Sequence, residues 1–184
     1  MCTCSGARAV LRFGFILVIA LGGSGSARSQ ALRDLGVALD DKALAAWDID
    51  VAPNGSGLPP GRGDVATGQQ IFARRCSACH GAGGEGKPAD RLVGGQGTLA
   101  TEHPIKTIGS YWPYATTLFD YVRRAMPYSN PQSLTPDEVY SVTAWLLFAN
   151  GVVEASASLD ARTLPQVRMP NRNGFVADPR PDVH

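Results

Sequence analysis

Metal-binding side chains are scarce in this chain. Its 184 residues hold 3 histidines, 3 methionines and 4 cysteines. Cys2 and Cys4 lie in an N-terminal segment that reads as removable, which leaves Cys76 and Cys79. No third or fourth cysteine remains for a zinc site or an iron–sulfur cluster. Charge is sparse as well, at 18% of residues, and forms no basic patch of nucleic-acid size. DNA and RNA are therefore excluded as partners. The glycines of residues 81–97 follow no strand, and no Lys-Ser or Lys-Thr pair ends the run, so a phosphate cradle is excluded. No Ser-His-Asp set, carboxylate pair or metal triad competes for a catalytic role, and no catalytic residue is assigned.

Long apolar runs are missing too. Phe13–Leu21 is apolar but too short to cross a bilayer as a helix. Arg8 and Arg12 precede it, small residues follow promptly, and Ser29-Gln30-Ala31 fits signal-peptidase cleavage after Ala31. Gly25-Ser26-Ala27 is a second cleavage site, and an uncleaved membrane anchor is the alternative reading. Removing residues 1–31 leaves 14 basic and 16 acidic residues. The expectation is an exported, periplasmic protein.

What is present centres on Cys76-Ser77-Ala78-Cys79-His80, a C-x-x-C-H motif. It is the signature of c-type haem attachment. Each thiol adds to one vinyl group of haem, and the histidine that follows is held under the iron. A disulfide between two close cysteines is the plainer reading, but the adjoining histidine favours haem. One motif predicts one covalent haem c.

The length allows one domain with extensions, or at most two small domains. Residues 32–63 read as a leader arm. Within it Asp41–Trp47 is a short helix capped by Asp40 or Asp41, Asp48–Val51 is extended, and Pro53–Gly63 has loop composition. The arm is either a plain linker or a segment anchored through Trp47 and Ile49 on the domain or a partner. Residues 64–151 read as the haem domain. A helix over Val65–Arg75 is capped by Asp64 or Thr67, a second spans Ala115–Ala125, and a third follows the capping box Thr135-Pro136-Asp137-Glu138 and stops at Asn150-Gly151. Residues 152–184, with four prolines and little periodicity, read as a C-terminal arm, either disordered or laid along the domain or a partner.

His80 is the first iron ligand in this reading. A backbone carbonyl of the glycine-rich loop is expected to hold its Nδ1 proton, so that Nε2 faces iron. The second ligand comes from Met126, Met169, His103 and His184, because methionine and histidine are the usual partners. Met126 is favoured: it follows a helix end, precedes the last helix, and Pro127 stiffens its loop. His/Met ligation raises the reduction potential and leaves no open site, which points to outer-sphere electron transfer. Trp112 is the preferred haem-edge residue, with core packing as the alternative. Lys106 and Tyr111 are further donors for haem propionates.

Gly68 and Phe72, on the helix before the motif, resemble the glycine and aromatic pair of class I cytochromes c. That resemblance implies an all-α class I cytochrome c fold in which the pair packs on the C-terminal helix, and it supports Met126 as axial ligand. Closer likeness lies in Ala46–Val51, Gly57–Gly61, the run Lys106–Tyr121 with its Ser110-Tyr111-Trp112-Pro113-Tyr114-Ala115-Thr116-Thr117, Arg123–Pro127, Asp137–Tyr140 and Leu164–Asn171. These stretches resemble the SoxD-type cytochrome subunits of sulfane dehydrogenases. The resemblance implies a molybdenum-cofactor dehydrogenase subunit as partner, with electrons leaving through haem to a downstream acceptor cytochrome. The arms before Asp64 and after Gly151 are longer than a globular haem domain needs, and the expectation is that they wrap the partner. Some members of that family carry a second haem domain, and here the chain departs from them.

Three functions follow from these residues. The first is the electron-transfer subunit of a sulfur-compound dehydrogenase. The second is a free electron shuttle. The third is a catalytic, thiosulfate-oxidising haem protein with a labile axial position.

Overall fold

Asp64 caps the helix that begins at Val65, as the sequence predicts, its carboxylate accepting from the Thr67 amide at 2.9 Å. The computed structural model describes residues 36–180. Residues 1–31, read from sequence as an export signal, with Cys2 and Cys4, and His184 lie outside the described residues. From Asp40 onward the chain forms one compact unit.

In chain order, α1 covers Asp41–Ala45, β1 Arg62–Asp64, α2 Val65–Arg75, α3 Ser77–His80, α4 Ala115–Ala125, α5 Pro136–Ala149 and β2 Ser158–Asp160, followed by a 3-10 turn at Leu164–Gln166. No described helix is long and apolar enough to cross a membrane. Several helix ends have a local cause. The Asp40 carboxylate caps α1. Thr135 and Glu138 cap each other's amides at the start of α5, with Pro136 in its first turn. Asn150 closes α5, and Gly151 turns away in the left-handed region at φ +68°.

α2 crosses α5 at Gly68. A Cβ there would run into the Ser141 carbonyl and sit 2.9 Å from the Trp145 Cβ, so only glycine lets the backbones approach this closely. One turn on, the Phe72 ring packs on Trp145 with centroids 4.0 Å apart. α4 adds Leu118, Phe119 and Val122 to the same core, and Phe119 meets Tyr140 at 4.4 Å. This is the fold expected of a class I cytochrome c, with irregular ends.

Two short strands were not foreseen. β1 and β2 pair antiparallel, Gly63 opposite Leu159, and close the leader against the C-terminal arm. At three residues each they are too short for a period-two pattern. The arms are also more deeply built in than loop composition suggests. Asp48–Val51 forms no strand. Instead Val51 is buried and its amide donates to Asp120 at 2.9 Å. Arg123 donates to the Ile49 carbonyl, and Tyr140 donates to the Pro59 carbonyl at 2.9 Å. On the C-terminal side Leu159, Leu164 and Met169 join the main core. Ile49 thus helps anchor the leader, whereas Trp47 does not: it is 80% exposed.

Candidate haem site

The motif forms a single turn of helix, α3, directly after α2. The amides of Cys79 and His80 both bond back to the Cys76 carbonyl, at 3.1 and 3.0 Å, which bunches the two thiols and the imidazole on a short segment. Gly81 ends the turn at φ +82°, where a Cβ would meet the Glu85 carboxylate. The glycine-rich loop then folds back on the motif. The Gly86 amide reaches the His80 carbonyl at 2.7 Å and the Ala89 amide the Cys79 carbonyl at 2.8 Å.

The carbonyl left unassigned by sequence is that of Asp90. His80 Nδ1 lies 2.8 Å from it and donates its proton there. The tautomer is thereby fixed, and Nε2 carries the lone pair. No side-chain pattern marks a carbonyl donor, so this partner was invisible in the sequence.

α3 opens onto a cleft of about 500 Å³. Cys76, Cys79 and His80 line it together with Met126 and Trp112, so these five residues meet in one place. Phe72, Leu92, Ile108, Leu118 and Leu146 give it apolar walls. Both cysteines are free thiols, Cys79 exposed and Cys76 partly buried. Burial pushes the Cys76 thiol up to about 11, against a small opposing effect of Arg75. Trp112 is half-buried and meets the Tyr121 ring edge-on at 5.8 Å, so it both walls the cleft and packs on α4.

The other ligand choices fall elsewhere. Met169 is buried in the main core and does not line the cleft, and His103 is exposed and away from it. Lys106 lines the cleft with its ammonium 5.1 Å from the Tyr111 ring centre, whereas Tyr111 does not line it. Arg75 and Arg91 also stand at the cleft and had not been singled out. Their signal in sequence was only adjacency to the motif and to the glycine-rich loop. Among the described residues no cluster of three or more His, Cys, Asp or Glu side chains suits a bare metal ion.

The donor set therefore fits haem: two free thiols, an imidazole with Nε2 available, a thioether, and an apolar slot between them. The Cytochrome c family profile matches residues 65–149. A chain in the crystal structure of the sulfane dehydrogenase SoxCD from Paracoccus pantotrophus is 46% identical, superposes with a TM-score of 0.76, and is matched over 80% of this chain and 73% of that one. This chain belongs to the cytochrome c family. It is a class I c-type cytochrome that resembles the SoxD cytochrome, and proteins of its family carry covalent haem c and move electrons. Among curated proteins, none matches this cytochrome. Four fifths of 184 residues is far more than positions 65–149 supply, so the likeness to the SoxCD chain runs into the arms.

Proposed function

We propose that this cytochrome is the periplasmic electron-transfer subunit of a molybdenum-dependent sulfane or sulfite dehydrogenase. It takes single electrons from a catalytic subunit and passes them to a downstream acceptor cytochrome. The observation that carries this reading is the 46% identity to a SoxCD chain, extending beyond the haem domain. Export rests on the N-terminal pattern of Arg8, Arg12 and the apolar run before Ala31.

Haem, once attached, supplies a one-electron iron couple. The chain's own residues do the rest. Cys76 and Cys79 hold the group covalently. His80 presents Nε2, its orientation set by the Asp90 carbonyl. Met126, which lines the same cleft, would offer its thioether to the iron. The apolar walls exclude water, and a filled axial pair together with a low-dielectric pocket favours electron transfer over catalysis. The leader supports a partner-bound role. α1 buries no residue, and Leu44 and Trp47 stand exposed beside a segment that the domain already grips at Ile49 and Val51.

Wrapping by the whole C-terminal arm does not fit this geometry, because residues up to Met169 belong to the domain core. Deleting residues 152–184 would remove core, so point changes in the leader are the cleaner probe. The full chain is exported together with a candidate molybdenum subunit, and co-purification and haem reduction by a sulfane compound or sulfite are measured. Stable association with substrate-dependent reduction is expected. A cytochrome that purifies alone and stays oxidised with substrate and the molybdenum subunit present is a free shuttle, and the proposal fails.

A further inference from the structure

We infer that Arg75 and Ser133 form a latch that holds the methionine loop shut, making Arg75 a positioning residue for the axial thioether. The inference rests on Met126 being the axial ligand.

The segment from Met126 to α5 is lightly held. Its start is tied by the Met126 amide to the Val122 carbonyl at 3.1 Å, and its first turn by the Asn130 amide to the Pro127 carbonyl at 2.8 Å. Its far end is fixed by the Thr135–Glu138 capping box. Between these points, one hydrogen bond among the described residues joins residues 127–134 to another part of the chain. Arg75 Nη2 donates to Ser133 Oγ at 2.8 Å.

The place of this bond gives it meaning. Arg75 is the last residue of α2 and immediately precedes Cys76, so the bond runs from the haem-attachment side of the cleft to the methionine side. The next residue, Leu134, is buried and lines the cleft, as do Pro127 and Ser129 of the same loop. Tyr128 also lines it yet is 88% exposed, so its ring does little to anchor the loop. A thioether is a weak, neutral ligand, and its residence on iron depends on how often its loop swings out. A single charged-donor hydrogen bond across the opening, lost when the loop swings out, then sets that rate by its own small free energy.

The test uses the full-length holoprotein in the ferric state, with imidazole as an entering ligand. Its association is limited by departure of the methionine. Ser133→Ala and Arg75→Met are each expected to speed imidazole entry about 3- to 10-fold, the scale of one exposed hydrogen bond to a charged group. The double variant is expected to be no faster than either single one, because both remove the same contact. Ser133→Thr, which keeps a hydroxyl, is expected to restore the wild-type rate. The near-infrared methionine-to-iron band should persist in all of them at rest. Rates within twofold of wild type, or additive effects in the double variant, overturn the latch. Absence of that band in the wild type overturns Met126 ligation itself, a distinguishable failure.

Discussion

On the histidine side of the cleft, residues 79–95 are stitched down by backbone. Gly86 and Ala89 bond to the motif, Leu92 and Val93 both bond to the Gly84 carbonyl, and Asp90 holds the imidazole. Asn150, at the end of α5, fastens the same loop through its side chain, accepting from the Gly94 amide at 3.0 Å and donating to the Leu92 and Leu146 carbonyls. On the methionine side, residues 127–134 make one such cross-connection. The contrast matches the chemistry. An imidazole ligand has to keep one ring orientation and one tautomer, which takes a rigid second partner. A thioether needs only to be delivered, and a loop running from the end of α4 to the capped start of α5 delivers it.

The contrast can be broken by experiment. His80→Ala should have the largest effect, with loss of the low-spin haem spectrum and of most stable holoprotein. A variant that kept a native spectrum would show that the rigid wall holds nothing essential. Met126→Ala should instead leave a folded protein with covalent haem, an open sixth position, a high-spin ferric spectrum and a lower potential. An unchanged potential would mean that the methionine side does not ligate.

Next in size is Asn150→Ala. It strands the Gly94 amide and leaves the Leu92 carbonyl only the longer bond from the Ile108 amide at 3.3 Å, and should cost about 2–3 kcal/mol in urea unfolding. Ser133→Ala should cost about 1 kcal/mol in the same assay, the same scale as its effect on ligand entry. Equal losses in the two variants would erase the distinction between the walls.

A comparably small effect tests the leader's seam on α5. Burial raises Tyr140 to about 12, and its hydroxyl donates to the Pro59 carbonyl. The unfolded chain ionises this group near about 10. Its contribution to stability is therefore full below that pH and is lost as pH climbs through the folded value. Tyr140→Phe should lower stability by about 1 kcal/mol at neutral pH and flatten the alkaline limb above pH ~10. An identical pH profile in both proteins would show that the seam carries no linkage.

What was legible in the sequence was local. Helices α2, α4 and α5 could be bounded from Asp64, the Arg123-Arg124 end and the Thr135 capping box, because caps and periodicity act over a few residues. Gly68 and Phe72 announced a close crossing for the same reason: a mid-helix glycine costs stability unless another backbone needs the space. What was not legible was distant in the chain or carried by backbone. Asp90 acts through its carbonyl, which any residue has. Met169 sits in a proline-rich tail with no periodicity to show that it reaches the core. Arg75 and Ser133 meet only because α2 and the methionine loop face each other.

By itself, then, the sequence determined the covalent anchor, its histidine and the helices that carry them, since Cys76, Cys79 and His80 are neighbours and helix signals are short-range. Only the tertiary structure decided that Met126 rather than Met169 lines the cleft with His80, that the leader and the C-terminal strand close on each other, and that the two walls differ in rigidity. Those outcomes depend on contacts between residues tens of positions apart, whose closeness is set by the packing of α2, α4 and α5.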